Sequence, residues 1–292
     1  MRQSFAKFAI LSTAIMALPL VSFAGAPVKA VQPVVETPVP SRITANLGAN
    51  VYSQYIFHGV TLQNQGAILQ PYANFYFNLY NGNGTLNKVD FNVGVWNSLG
   101  SIQGDSNLRS TTGNWFEFDF LAGLSFTFAK NFTFSPSYVA YTSPGGYFTT
   151  AQVARLKLGV NDSDWLHAFA LNPYVMVEGT LEGIPANGGD TGWYYEVGIA
   201  PGYKAGPVQI TVPITAGFGS NNYYAGNAGY GFFSAGLAFG YQLAFIPPSY
   251  GTWTLTANAT YYNFGSGNTS KTTIKADSDN ATVFGGGLKI AF

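Results

Sequence analysis

Along most of this chain one parity of residues is apolar and the other polar, as in strands whose successive side chains point to opposite faces. Ile43, Ala45, Leu47, Ala49 and Val51 share one face of the first such segment, against Thr44, Asn46, Gly48, Asn50, Tyr52 and Gln54. In "WFEFDFLAGLSFTF", Phe116, Phe118, Phe120, Leu124, Phe126 and Phe128 alternate with Glu117, Asp119, Gly123, Ser125 and Thr127. The pattern predicts strands near 43–56, 67–80, 88–98, 115–128, 132–141, 150–160, 167–178, 192–203, 208–218, 232–243, 253–264 and 281–292. Most are long enough for a tilted strand to cross a bilayer, which takes ~9–11 residues.

Lipid offers the backbone no hydrogen-bond partner, so membrane strands are stable only in a ring without edges. The expected fold is therefore all-β, a transmembrane antiparallel up-and-down β-barrel of about twelve strands. Short turns are expected after the even strands and longer, Gly-rich links after the odd ones, such as Leu99 to Asn114 and Gly265 to Asn280. That alternation places both termini in the periplasm and the long loops outside the cell. A soluble barrel would turn the apolar parity inward, and so many Phe facing one way do not fit one core.

Composition agrees. Charged residues make up 9% of the 292-residue chain and aromatics 16%, whereas soluble domains are about a quarter charged. Arg2 and Lys7, the apolar stretch Phe8 to Leu20 and Ser22-Phe23-Ala24 read as a signal peptide over residues 1–24, with cleavage after Ala26 as an alternative. Residues 25–41, with Pro27, Pro33, Pro38 and Pro40, read as a periplasmic tether, and 42–292 as the barrel. Removing Arg2 and Lys7 from 13 basic residues leaves 11 against 13 acidic ones, a balance that argues against nucleic acid as a partner. Cysteine is absent, which removes thiolate metal sites and cysteine nucleophiles.

Inward parity carries Glu117, Asp119, Glu178 and Glu196 toward the extracellular end, Arg155, Lys157 and Lys289 at the middle or lower end, and Asp90 near the periplasm. These charges either set the selectivity of an open pore or pair into a network that plugs it. Inward Tyr72, Tyr76, Tyr174 and Tyr194, with Tyr52 and Tyr262, either form a stacking platform for a solute or fill space while their hydroxyls reach polar partners. Trp193 and Trp253 stand at strand starts where aromatic girdles meet headgroups, and Trp96 and Trp115 face inward by parity. The histidines, His58 and His167, fall at opposite ends of the barrel. A hydrolase needs a base beside its nucleophile, and no spacing activates Ser53 near His58, so no catalysis is expected. No metal or cofactor is expected either.

The segment "YSQYIFHGVTLQNQGAILQP", Tyr52 to Pro71, resembles the opening motif of the Gcw_chp family of conserved hypothetical outer-membrane proteins. Ser53, Tyr55, Phe57, Gly59 and Gln70 match, while Gln54 and His58 stand where Asp and Arg are common. "FEFDFLAGLSF" and "YVAYTSPGG" are similar to that family's acidic and Tyr-rich strands. The resemblance implies an outer-membrane barrel and leaves its role open. The expected function is a passive porin-like channel in the outer membrane, with lipid and small solutes as partners. The alternative is a closed barrel whose outer loops serve surface structure, adhesion or reception.

Overall fold

The computed structural model describes residues 41–101, 115–184, 190–224, 229–265 and 279–292. The expected signal peptide and tether, except Ser41, lie outside these residues, as do 102–114 and 266–278 of the long links.

The wall begins with β1 (Ile43–Tyr52) and continues, after an inward hairpin of β2 (Tyr55–Phe57) and β3 (Val60–Gln63), through β4 (Ile68–Asn81), β5 (Leu86–Gly100) and β6 (Trp115–Phe128). It runs on through β7 (Phe132–Thr142), β8 (Ala151–Val160), β9 (Tyr174–Glu182) and β10 (Trp193–Ile199). The short strands β11 (Gly202–Ala205), β12 (Val208–Thr211) and β13 (Ile214–Gly219) follow. The last three are β14 (Tyr230–Gln242), β15 (Thr252–Phe264) and β16 (Asn280–Ala291). All pairings are antiparallel between neighbours, and β16 closes on β1 with Leu47 opposite Ile290 and Val51 opposite Gly286.

The chain thus forms a closed twelve-stave barrel: β10 with β11, and β12 with β13, each make one broken stave. The breaks fall at Pro201 and Pro213, which have no N–H for the ladder. The backbone N–H of Val212 donates to the Pro201 carbonyl at 2.9 Å and carries the sheet across the gap. Antiparallel closure brings Ile43 and Ala291 to the same end, here called the terminal end; the hairpin lies at the other.

The wall is one residue thick, so its outward side chains have no protein to pack on. Phe75, Phe120, Phe134, Leu156, Val197, Leu237, Leu255 and Phe284 are all exposed on that face. Exposed aromatics ring both ends, with Trp115, Trp193 and Tyr230 at the hairpin end and Trp165, Tyr203, Phe245 and Tyr250 at the terminal end. The buried apolar cluster sits instead inside the ring. It gathers Tyr55, Phe57, Val60 and Leu62 of the hairpin with Phe116, Val139, Tyr141, Val153 and Phe232 of the wall. Each fully buried hairpin side chain contributes about 1.5–3 kcal/mol relative to exposure.

Several expectations are corrected. The first strand stops at Tyr52, not at residue 56, because Ser53 turns the chain inward. Its N–H donates to the Phe284 carbonyl at 2.9 Å and its Oγ accepts from the Phe284 N–H at 3.0 Å. The seventh strand begins at Tyr174 rather than 167. The residues before it form the short helix α1 (Ser163–Leu166) and a 3-10 turn, His167–Phe169. The Asp162 carboxylate organises this segment by accepting from the N–H groups of Leu171 at 3.1 Å and Asn172 at 2.9 Å. The alternation of short and long links therefore fails here: 161–173 at the terminal end is longer than 143–150 at the hairpin end. Trp115 is outward, not inward, because one extra residue bulges where Leu99 pairs Trp115 and Ser98 pairs Glu117. The bulge turns Phe116 into the ring, against Tyr147 at 4.9 Å between centroids.

Candidate functional site

The hairpin turns on His58 and Gly59, both with left-handed backbone (φ 47° and 82°), as a two-residue turn of the primed type needs. Glycine takes that conformation freely, and a Cβ at position 59 would meet Phe232 at 2.5 Å, so the tip fits only a Gly there. Histidine adopts it less readily, and what holds His58 is its surroundings. Its ring stacks between Phe57 at 3.9 Å and Tyr194 at 3.7 Å between centroids. Nδ1 shares a 2.7 Å hydrogen bond with the Tyr223 hydroxyl, and the Tyr224 hydroxyl donates to the His58 carbonyl at 2.9 Å. Tyr223 and Tyr224 belong to the link between β13 and β14, so a second loop clamps the tip from above.

Beneath the tip lies a charged cluster on β6 to β10. Arg155 donates from Nε and Nη2 to Glu178 Oε2 at 2.8 and 2.7 Å, and from Nη2 to the Tyr141 hydroxyl at 2.6 Å. Tyr141 in turn donates to the same carboxylate oxygen at 3.0 Å. His58 Nε2 stands 4.0 Å from the other oxygen, Glu178 Oε1, beyond hydrogen-bond range. Burial pushes the His58 imidazole down to about 4, outweighing the pull of Glu178, so the ring is neutral near pH 7 and this contact is not an ion pair. Glu196 accepts the Tyr194 hydroxyl at 2.6 Å and the Tyr174 hydroxyl at 2.7 Å. Glu117, buried, lies beside Asp119 and beside Tyr55 of the hairpin.

Six of the sequence candidates thus meet around the hairpin: Glu117, Asp119, Arg155, Glu178, Glu196 and Tyr194. The others do not join them. Asp90 pairs with Lys88 at 2.8 Å and accepts from Asn78 at 3.0 Å near the terminal end. Lys157 lies 4.0 Å over the Tyr174 ring, and Lys289 is exposed in register with Gly48 and Thr254. Tyr76 lies in register with Thr44 and Asn92. Tyr72 lies against Gly48 and Tyr174 against Gly198, each where a Cβ would come within 2.6 Å of the ring. Glycine in the neighbouring stave lets both rings lie flat along the wall instead of reaching across the lumen. His167 stands on the terminal-end link, away from His58.

The sequence pattern does not single out Tyr141, Tyr223, Tyr224 or Phe232, and it assigns residues 57–66 to an outer link. A signal was present: "YIF-HG-VTL" is two apolar runs around a pair ending in Gly, which reads as a tight hairpin. Its burial against the far wall left no local mark.

A transmembrane-type antiparallel barrel with an internal hairpin is the class that fold and site define. No protein-family model and no curated protein matches the chain, so the resemblance to the Gcw_chp family stays a resemblance. Among solved structures, the chain is similar to an outer-membrane channel from Pseudomonas putida F1, at 8% identity and TM-score 0.49 over 90% of this chain and 100% of that one. It is similar to the channel DcaP of Acinetobacter baumannii, at 11% identity and TM-score 0.42 over 86% and 96%. Outer membrane phospholipase A from Escherichia coli also matches, at 13% identity and TM-score 0.39 over 86% and 93%. Likenesses this distant leave the activity to be argued from the chain's own geometry.

Proposed function

We propose that the chain is a non-enzymatic outer-membrane channel that passes small solutes through the part of the lumen left open beside the hairpin. The observation that carries this reading is the inversion of ordinary packing. Phe, Leu and Trp cover the outside, while carboxylates, Arg155, Lys157 and tyrosine hydroxyls occupy the inside. In water that surface would drive aggregation; in a bilayer it is the solvated face. The links from β5 to β6 and from β15 to β16 both lie at the hairpin end. Long loops belong on the extracellular side of such barrels, which favours periplasmic termini. In this reading Asp90, Lys157, Lys289, Tyr72 and Tyr76 line the path, and the cluster around Glu178 holds the hairpin.

A second reading has its own support. The latched His58 tip suits a closed barrel whose outer loops act at the surface. Planar-bilayer recordings of the full protein, and of a variant with 54–64 replaced by a short Gly-Ser link, separate the two. The channel reading expects discrete steps from the full protein and steps at least about two-fold larger from the variant. Steps from the variant alone would favour the closed barrel, and silence from both would overturn the channel.

A further inference from the structure

The hairpin divides the lumen unequally. Toward β6 to β10 its side chains meet the charged cluster. On its other flank it leaves a cavity of about 290 Å³ between the hairpin and the wall of β4, β1 and β14 to β16, with Pro213 at its edge. Tyr52, Gln54, Tyr55, Gln70, Asn258 and Tyr262 provide its rings and amides, with Pro213, Ala238 and Val283 as small apolar patches. No Asp, Glu, Lys or Arg is among its lining residues.

We propose that this cavity is a binding subsite for an uncharged polyhydroxylated solute of monosaccharide size. The proposal rests on the channel reading for the route of the solute, though not for its binding. The volume sits at the lower edge of small-molecule pockets, which run about 300–1,000 Å³, and so fits one ring. A sugar presents C–H faces that pack on aromatic rings and hydroxyls that both donate and accept. Three tyrosines and three amides supply both kinds of contact.

The lining is also pre-set. Tyr52 and Asn258 both lie against Gly285, and Tyr262 packs on Phe232 at 5.8 Å and Phe264 at 6.2 Å between centroids. Among the described residues the side chains of Gln54 and Gln70 make no hydrogen bond to protein, which leaves their amides for a ligand. A charged solute would shed its water here and find no opposite charge, so the cavity disfavours it.

The test is saturation-transfer NMR on the detergent-solubilised full chain with glucose, using gluconate and glucosamine as charged controls of similar size. Glucose is expected to receive saturation and the two controls little. Tyr262→Ala should abolish the glucose signal while Tyr203→Ala, among the exposed aromatics of the terminal end, keeps it. Asn258→Asp, which adds a charge with little change in volume, should weaken glucose at least about five-fold and admit glucosamine. Equal signals from all three sugars, or undiminished glucose binding in both cavity variants, would overturn the subsite. Saturable glucose binding by a barrel that passes no current would remove the channel reading and leave the subsite standing.

Discussion

Two walls face the same lumen, and only one grips the hairpin. From β6 to β10 the inward side chains are long and polar: Glu117, Asp119, Tyr141, Arg155, Glu178, Tyr194 and Glu196, tied to one another and to the hairpin residues Tyr55 and His58. From β14 through β16 to β1 most inward positions are short and uncharged, among them Ala238, Thr256, Asn258, Gly285, Gly287 and Gly48, with the rings of Tyr52 and Tyr262 beside the cavity and Lys289 the one inward charge, nearer the terminal end. Long charged groups reach across the ring and anchor a loop; short neutral ones leave space. Where the hairpin sits, and where the cavity remains, follow from side-chain length and charge on a backbone that is nearly uniform around the ring.

The most forceful way to break this contrast is to remove its anchor. Arg155→Met leaves Glu178 buried without its cation, and losing one partner of a buried pair costs about 3–5 kcal/mol. Urea unfolding in detergent is expected to show that loss, together with protease cleavage near His58 that the parent resists. Thr256→Val on the opposite wall removes only a 3.4 Å contact with Asn50 and should stay within about 1 kcal/mol. Equal losses on the two walls would mean that the charged side has no special hold on the hairpin.

Acid tests the same hold without a mutation. The docked His58 imidazole titrates at about 4 and a released one near its ordinary 6.5, so between these values the released hairpin binds more protons. Docking is then at full strength above pH 6.5 and weakens progressively down to pH 4. At 1.36 kcal/mol per unit that amounts to about 3 kcal/mol in all. The groups facing His58 are Glu178, Arg155 and Glu196 in the cluster and the Tyr223 hydroxyl above it. Recordings should show longer or larger openings as pH falls through this window, and His58→Phe, which keeps the stacking, should flatten the response. A parent profile that is flat from pH 7 to 4 would contradict the buried position of the ring.

The barrel was legible because its signal is local and repeated. Parity at Ile43 to Val51 or Phe120 to Phe128 is set by the two-residue repeat of a strand facing two solvents, and each stave states it again. What escaped depended on a single added residue or on distance. One bulged Phe116 reverses the facing of Trp115, and two prolines split staves that parity joins. The charges of β6 to β10 were visible as inward, yet parity gives the face and not the partner. That Arg155 meets Glu178 and Tyr141 follows from the register of three staves, and that His58 meets Tyr194 and Tyr223 follows from a loop crossing the ring.

On the open wall the contrast is sharpened by filling space. A side chain at Gly285 would run into the Tyr52 ring, so Gly285→Val should push Tyr52 into the cavity. Overpacking of this kind costs about 1–3 kcal/mol. The unit conductance should fall while protection of the hairpin stays at the parent level, since nothing on the charged wall is touched. A hairpin loosened by Gly285→Val would show that the two walls do not act separately.

The smallest expected effect concerns the clamp above the tip. Tyr224→Phe keeps the ring in its buried place and removes only the hydroxyl that donates to the His58 carbonyl at 2.9 Å. One such bond is worth about 1 kcal/mol net, somewhat more where the abandoned carbonyl is shut away from water. Because Tyr223 still holds Nδ1 and Tyr194 still stacks beneath, the tip should stay docked at pH 7, and the cost should surface only where docking is already weakened. The onset of acid-induced opening is therefore expected to move up by about 0.7 pH unit, the shift that 1 kcal/mol gives at 1.36 kcal/mol per unit. An unmoved onset would place the hold on the tip wholly in the charged wall beneath it, and the upper loop would be a cover and not a clamp.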